Sequence, residues 1–327
     1  MSVISMRAVP PLVTALCARR AQPESGALRI ALLNLMPTKE VTERQWLQLL
    51  AQAELQRPMH VELFRLTHWT PRHTSMVHMH RYYRPLAELR DSHQISAYDA
   101  VIVTGAPLGQ VPYHDVKYWH EVEGFLKHLH THAVPTLYSC WAAQAALYSL
   151  YAIPTLRCPT KLTGVFTQQL SSSSRPNTVS TDTVSTGGIN GQLQQSIAQL
   201  TAANSTMSLN MSLSMPLSRY ALPDPATLQQ RFDNLEHSLQ AVLCSETGEP
   251  TVLVDETHRN LFVLGHPEYD TDTLLLEYLR DRERQPNFPK PLNYDLSQSP
   301  KSHSQSAAWQ ALGAQLIGHW LTLVSLK

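Results

Sequence analysis

Six stretches of this chain keep their apolar residues in short, nearly continuous runs: LRIALLNLM (28–36), VELFRL (61–66), YDAVIVTG (98–105), VPTLYSC (134–140), TVLVDE (251–256) and LFVLGH (261–266). A strand that is apolar at successive positions buries both of its faces, which a sheet covered on both sides requires. Between these runs the apolar positions recur at helical spacing. Thr42 with Gln45 reads as a capping box ahead of WLQLLAQA, DVKYWHEVEGFLKHL follows the third strand, and WAAQAALYSLY follows the fourth. An Asp cap opens DTDTLLLEYLRD after the last strand, and AAWQALGAQLIGHWLTLV closes the chain. Strand and helix in turn predict an α/β fold on a mostly parallel sheet, with function collected at the carboxyl ends of its strands.

Two segments depart from this pattern. The stretch SSSSRPNTVSTDTVSTGGINGQLQQSIAQLTAANSTMSLNMSLS (171–214) has no aromatic residue, no Lys and no Glu, and one Arg and one Asp. Such a composition buries little, so about 168–214 is expected to be a mobile surface insertion with a short helix near GQLQQSIAQL. The first 26 residues faintly resemble a signal sequence, but a double proline breaks the apolar run and no convincing cleavage site follows. They are expected to form a loosely attached arm before the main domain over 27–327.

Composition narrows the function classes. The 327 residues are 43% hydrophobic, enough for a full core, and their 26 basic side chains balance 26 acidic ones. Without a dense basic run there is no electrostatic footprint for nucleic acid or an anionic membrane, and no apolar run is long enough to span a bilayer. Four cysteines without paired spacing, Cys17, Cys140, Cys158 and Cys244, read as reduced thiols of a cytoplasmic protein.

Candidate chemistry sits at three strand ends. Cys140 lies where VPTLYS gives way to a helix, His266 stands in GHPEYD with Glu268 two residues on, and TGAPLG (104–109) follows the third strand. A helix N-terminus and a nearby imidazole both favour thiolate over thiol, and a carboxylate fixes the imidazole's tautomer. The backbone N–H of Trp141 would then help bind an oxyanion. Each residue also has a plainer reading: a small core cysteine, a histidine bonded to backbone, a solvated carboxylate, a tight turn. TGAPLG lacks the spacing of a dinucleotide-binding loop. The histidines of HLHTH (128–132) are spaced by two, which is poor for shared ligation on a helix and better explained by the helix C-terminus. No metal site is expected.

The stretches LLNLMPTKEVTERQWLQLL (32–50), YDAVIVTGAPLGQVPYHDVKYW (98–119), CWAAQAALYSLYAIP (140–154), KLTGVF (161–166), SRY (218–220) and LFVLGHPEYDTDTLLLEYLRD (261–281) resemble, in order, the homoserine O-succinyltransferase family of methionine biosynthesis. The resemblance implies a flavodoxin-like fold of the class I glutamine-amidotransferase type, with a three-layer arrangement. It implies ping-pong transfer of succinyl from succinyl-CoA to L-homoserine through a Cys140 thioester, the first committed step of that pathway, with His266 as base and Glu268 as its acidic partner. Arg280 matches the residue that holds the amino acid's carboxylate, Lys161 and Ser218 match substrate-binding positions, and Lys39 matches a lysine near the site. Gly109 matches the position where glycine accompanies succinyl-CoA and glutamate accompanies acetyl-CoA. A homodimer without cofactor is implied, succinyl-CoA being a substrate.

Four positions depart from the family pattern: Thr167 and Gln168 stand where Glu-His is usual, Leu217 replaces a histidine, and Gln310 replaces an arginine. They bear on the acceptor, so homoserine O-acetyltransferase and serine O-acyltransferase remain alternatives. A glutamine-amidotransferase-like hydrolase would carry glycines two residues either side of the cysteine, where Tyr138 and Ala142 stand. A non-catalytic binding protein would not need Cys140, His266, Glu268 and Arg280 together.

Overall fold

A computed structural model of the chain describes residues 13–14, 25–53, 55, 57–71, 73–171, 188–206, 213–233, 238–297 and 304–325. In chain order these give β1 (Val13–Thr14), β2 (Leu28–Leu33), α1 (Lys39–Gln52), β3 (Met59–Arg65), α2 (Met76–Tyr82), β4 (Tyr83–Pro85) and α3 (Ser92–Ile95). Then come β5 (Ala100–Val103), α4 (Trp119–Thr131), β6 (Thr136–Ser139), α5 (Trp141–Tyr151), β7 (Thr155–Leu170) and α6 (Ile189–Thr206). The remainder is β8 (Ser214–Pro223), α7 (Pro225–Asp233), β9 (Leu239–Ser245), β10 (Pro250–Asp255), β11 (Asn260–Val263), α8 (Thr273–Arg284) and α9 (Ser304–Val324).

All six expected strands form. The sheet runs β1-β3-β2-β5-β6-β11-β10-β9-β7-β8, with β4 paired to β3. From β1 to β11 every neighbouring pair is parallel, and from β11 to β8 every pair is antiparallel. The continuous apolar runs have the predicted cause. Ile30 and Leu32 of β2 join a core with Trp46 of α1 and Leu316 and Trp320 of α9 on one face. Ala31 and Leu33 join Phe125 of α4 and Ala142 and Ala146 of α5 on the other.

Several expectations need correction. The capping box does not form: α1 begins three residues earlier, at Lys39, after Thr38, which makes no side-chain cap. Thr42 and Gln45 are buried within the helix, where Gln45 instead donates to Asp270 and to Thr273 Oγ1, at 3.2 and 3.0 Å. Asp272 does precede α8, but its side chain makes no cap hydrogen bond. The polar insertion is not simply surface. Residues 189–206 form α6, which packs on α9 and β9, with Leu193 and Ile197 fully buried. Composition understated this because two apolar positions four apart are enough to seat a helix. The rest of 172–187 and 207–212 lies outside the described residues, as does most of the N-terminal arm, whose Val13–Thr14 pairs with β3 at the sheet edge.

Candidate active site

β6 and β11 are parallel neighbours, and each ends at the same rim. Cys140 follows β6 immediately and occupies the N-cap position of α5, with φ 48° and ψ −111°. Positive φ is disfavoured for a side chain with a Cβ, and holding such a residue costs about 1–3 kcal/mol. The conformation is clamped from three sides. Cys140 N–H donates to Val263 O of β11 at 2.7 Å, and Cys140 O accepts from Gln144 N at 3.1 Å. Gly105 of the TGAP turn packs so closely that a Cβ there would lie 3.3 Å from Cys140 Cβ. The turn after β5 is thus a wall of the cysteine's niche. Trp141 opens α5, where N–H groups have no acceptor within the helix.

His266 sits three residues beyond β11, its N–H bonded to Pro216 O of β8 at 2.8 Å. Its Nδ1 meets Glu268 Oε1 at 2.9 Å, and its ring stacks on Tyr269 with centroids 4.2 Å apart. Both His266 and Glu268 are buried. Nε2 has no hydrogen-bond partner, and Cys140 is near enough to act on the ring: burial lowers the imidazole's pKa, and Cys140 and Glu268 overcome this and raise it well above 6.5. Cysteine, histidine and glutamate therefore form one connected set.

Tyr269 extends the set toward α8. Its hydroxyl donates to Glu277 Oε1 at 2.9 Å, while Glu277 Oε2 accepts from Ser218 of β8 and from Lys161 Nζ of β7, the latter at 3.0 Å. Lys161 also reaches Asp281 Oδ2 at 2.8 Å, and Asp281 Oδ1 accepts from Arg280 Nε at 2.9 Å. Lys161 is buried, which lowers its pKa, but Glu277 and Asp281 raise it overall. Burial raises the Glu277 pKa, but Lys161 and Ser218 hold it below its ordinary value. Lys161, Ser218 and Arg280 are thus gathered by Glu277 and Asp281, two residues the sequence reading passed over. Glu277, Arg280 and Asp281 lie three and four residues apart on one helix face, a signal visible in LLLEYLRD.

Lys39 occupies a different niche. Its Nζ donates to Asn34 O at 2.5 Å and Met36 O at 3.1 Å, and burial lowers its pKa to about 7. The same loop is tied to the TGAP turn by Leu35 N–H to Thr104 Oγ1 at 2.9 Å. Lys39 thus braces the loop after β2. Gly109 lines a cleft of about 240 Å³ with Tyr113, Trp141 and Gln144. Its φ is outside the range that favours glycine, and a Cβ would meet Tyr220 Cβ at 3.4 Å, so the turn itself does not demand glycine here.

Of the departures, Gln168 is explained by the sheet: it accepts from Thr251 and donates to Phe166 O at 2.9 Å. Thr167 pairs with Ser214. Leu217 packs against Gly265, where an added Cβ would come 3.0 Å from its Cδ2, and Gln310 donates to Tyr269 O at 3.2 Å. The last two therefore do border the His266 segment. In HLHTH, His130 stacks on His258 at 3.8 Å, and the two lie with Asp255 within metal-like spacing. Asp255 is already engaged by Ser238, Tyr151, His258 and the Thr257 N–H. This cluster borders the start of β11, at the rim opposite Cys140.

A family model described as homoserine O-succinyltransferase matches residues 12–186 and 191–326. A homoserine O-succinyltransferase of Shewanella halifaxensis is 33% identical over 303 residues, covering 93% of this chain and 84% of its own. One from Yersinia enterocolitica is 34% identical over 307 residues, covering 93% and 85%. Among solved structures, a glutamine amidotransferase from Thermotoga maritima superposes with a TM-score of 0.50 at 12% identity, covering 90% of this chain and 98% of that one. It bears on the fold alone.

Proposed function

Because this chain belongs to the homoserine O-succinyltransferase family, we propose that it transfers succinyl from succinyl-CoA to the hydroxyl of L-homoserine through a thioester on Cys140. The observation that carries this reading is the connected set of Cys140, His266 and Glu268 at the rim shared by β6 and β11.

In the first half-reaction the Cys140 sulfur attacks the donor's thioester carbonyl. The backbone N–H of Trp141 offers a hydrogen bond to the oxyanion. The bond to CoA then breaks, and CoA leaves with a proton from the His266 imidazolium. Acylation turns a thiolate into a neutral thioester and so removes a charge that raises the His266 pKa. The imidazole can then act as base. It takes the proton of the homoserine hydroxyl, whose oxygen attacks the thioester, and the carbon–sulfur bond breaks to restore the thiolate and release O-succinylhomoserine. Glu268 holds the imidazole and its charge throughout.

Arg280, half-exposed beside the site, suits a substrate carboxylate, because its fork keeps donors beyond those given to Asp281. Lys161 and Ser218 shape the same side. Lys39 acts through the loop it braces rather than by touching substrate. Gly109 leaves room beside the acyl chain that glutamate would fill and charge. The reading includes a homodimer in the cytoplasm working without a metal or cofactor. Exposed Leu276, Leu279 and Leu292 on and after α8 are consistent with a covered surface, and unpaired Cys140, Cys158 and Cys244 suit a reducing compartment.

Intact mass after mixing with succinyl-CoA alone, then with homoserine, tests the reading. A succinyl adduct present in the wild type, missing in Cys140→Ser and discharged by homoserine is expected. Labelling by acetyl-CoA alone would overturn the donor assignment, and labelling by neither donor would overturn the acyl transfer itself.

A further inference from the structure

The cleft lined by Trp141, the residue after Cys140, holds an unused hydrogen-bond acceptor. Gln144 lies one helical turn after Cys140 on α5 and is 3% exposed, yet its Oε1 has no partner. An amide oxygen buried without a donor has lost its bonds to water with nothing in return, which a ligand N–H would restore. Gln144 lines the 240 Å³ cleft, whose other walls include Gly109, Trp141, Tyr113 and Tyr148. Tyr113 stacks on Tyr148 with centroids 4.6 Å apart, giving the cleft an apolar face. Arg157, exposed and making no ion pair among the described residues, lines the cleft as well. Cys140 itself does not line it, and the cleft joins the thiol's niche through Trp141, the next residue, while the acceptor-side residues Lys161, Ser218, Glu277 and Arg280 lie outside it.

Resting on the acyl-transfer reading above, we infer that this cleft is the subsite for the pantetheine arm of the acyl-CoA donor, with Gln144 as its specificity residue. The arm is a chain of apolar segments joined by two secondary amides, and it ends in a charged nucleotide. One of its amide N–H groups donates to Gln144 Oε1, its methyl-bearing segment lies on the Tyr113–Tyr148 face, and a phosphate reaches Arg157. The thioester carbonyl then arrives at Cys140, beside Gly109. Donor and acceptor thus approach the thiol through differently lined spaces.

The test measures KM for succinyl-CoA, for succinyl-pantetheine, which lacks the nucleotide, and for homoserine. Gln144→Leu is expected to raise KM for both donors by about tenfold, the size of one lost hydrogen bond, with the homoserine KM unchanged. Arg157→Gln is expected to raise KM for succinyl-CoA only. Should Gln144→Leu fail to fold, Tyr148→Ser, at an exposed position, carries the test through a raised KM for both donors. Unchanged donor KM in these variants, with a wild type that succinylates Cys140, overturns the subsite and leaves the acyl-transfer reading intact. A wild type that succinyl-CoA does not label overturns that reading instead.

Discussion

The proposed mechanism requires Cys140 and His266 each to change charge within a cycle, and the surroundings of His266 pull its pKa in opposite directions. Burial lowers the His266 pKa, while Cys140 and Glu268 raise it. In the proposed mechanism the acid–base balance of His266 therefore differs before and after acylation. The two half-reactions should therefore have different pH profiles. Deacylation by homoserine needs neutral His266, so its rate should rise with pH and level off above the pKa of the acylated form. Glu268→Gln removes a charge that raises this pKa, so the profile should move toward lower pH. His266→Ala should slow deacylation by about 10²–10⁴-fold, the usual contribution of a positioned general base. Stopped-flow release of the succinyl group across pH checks all three, and a Glu268→Gln profile that stays in place would remove the carboxylate from this role.

Among the elements, α6 carries the sharpest lesson. Its sequence is polar overall, and among its described side chains Ile189, Leu193 and Ile197, four apart, mark the apolar face that packs. Leu193→Ala should destabilise the protein by about 2–5 kcal/mol, the cost of a large-to-small change in a packed core, measured by urea unfolding. A change within a few tenths of a kcal/mol would place α6 outside the cooperative core. The parallel strands were legible because each is buried on both faces and reads as an unbroken apolar run. β7 was not. Its sixteen residues, TLRCPTKLTGVFTQQL, are exposed or half-buried along much of their length, and its partner β8 comes only after the insertion, so no hairpin turn marks the pair. The cysteine elbow, the histidine and the TGAP turn were legible because each sits at the end of a readable strand. Glu277 and Asp281 were not, because their importance comes from Lys161 and Ser218 on strands the pattern did not reveal.

Across the molecule, the Lys161–Glu277–Asp281 group fastens β7 to α8. Glu277 and Asp281 titrate below their ordinary values of 4.5 and 3.8, so their contribution is present above those values and lost as pH falls through the folded-state ones. Lys161 titrates above 10.5, so its contribution is full below that value and lost as pH rises through the folded-state one. The group should stabilise the fold across the neutral range and weaken it toward both extremes. Lys161→Met leaves the buried Asp281 and the partly buried Glu277 without this cation, with Arg280 still on Asp281, and should cost about 3 kcal/mol near pH 7. The deficit should shrink in mild acid, where the orphaned carboxylates take up protons. A deficit that ignores pH would mean that lost packing, not charge, is responsible.

The parallel seam between β6 and β11 also sets an order of events. The strands are bridged by Thr136 N–H and Asn260 Oδ1, 124 residues apart in the chain. A ribosome therefore releases the thiol's strand long before the strand that bears the imidazole, and such a distant pairing closes late. Until it closes, nothing clamps Cys140 through Val263 or supplies a cation beside it, and the sulfur is an ordinary, sluggish thiol. On the proposed mechanism, reactivity at Cys140 would report that the whole polypeptide has come together.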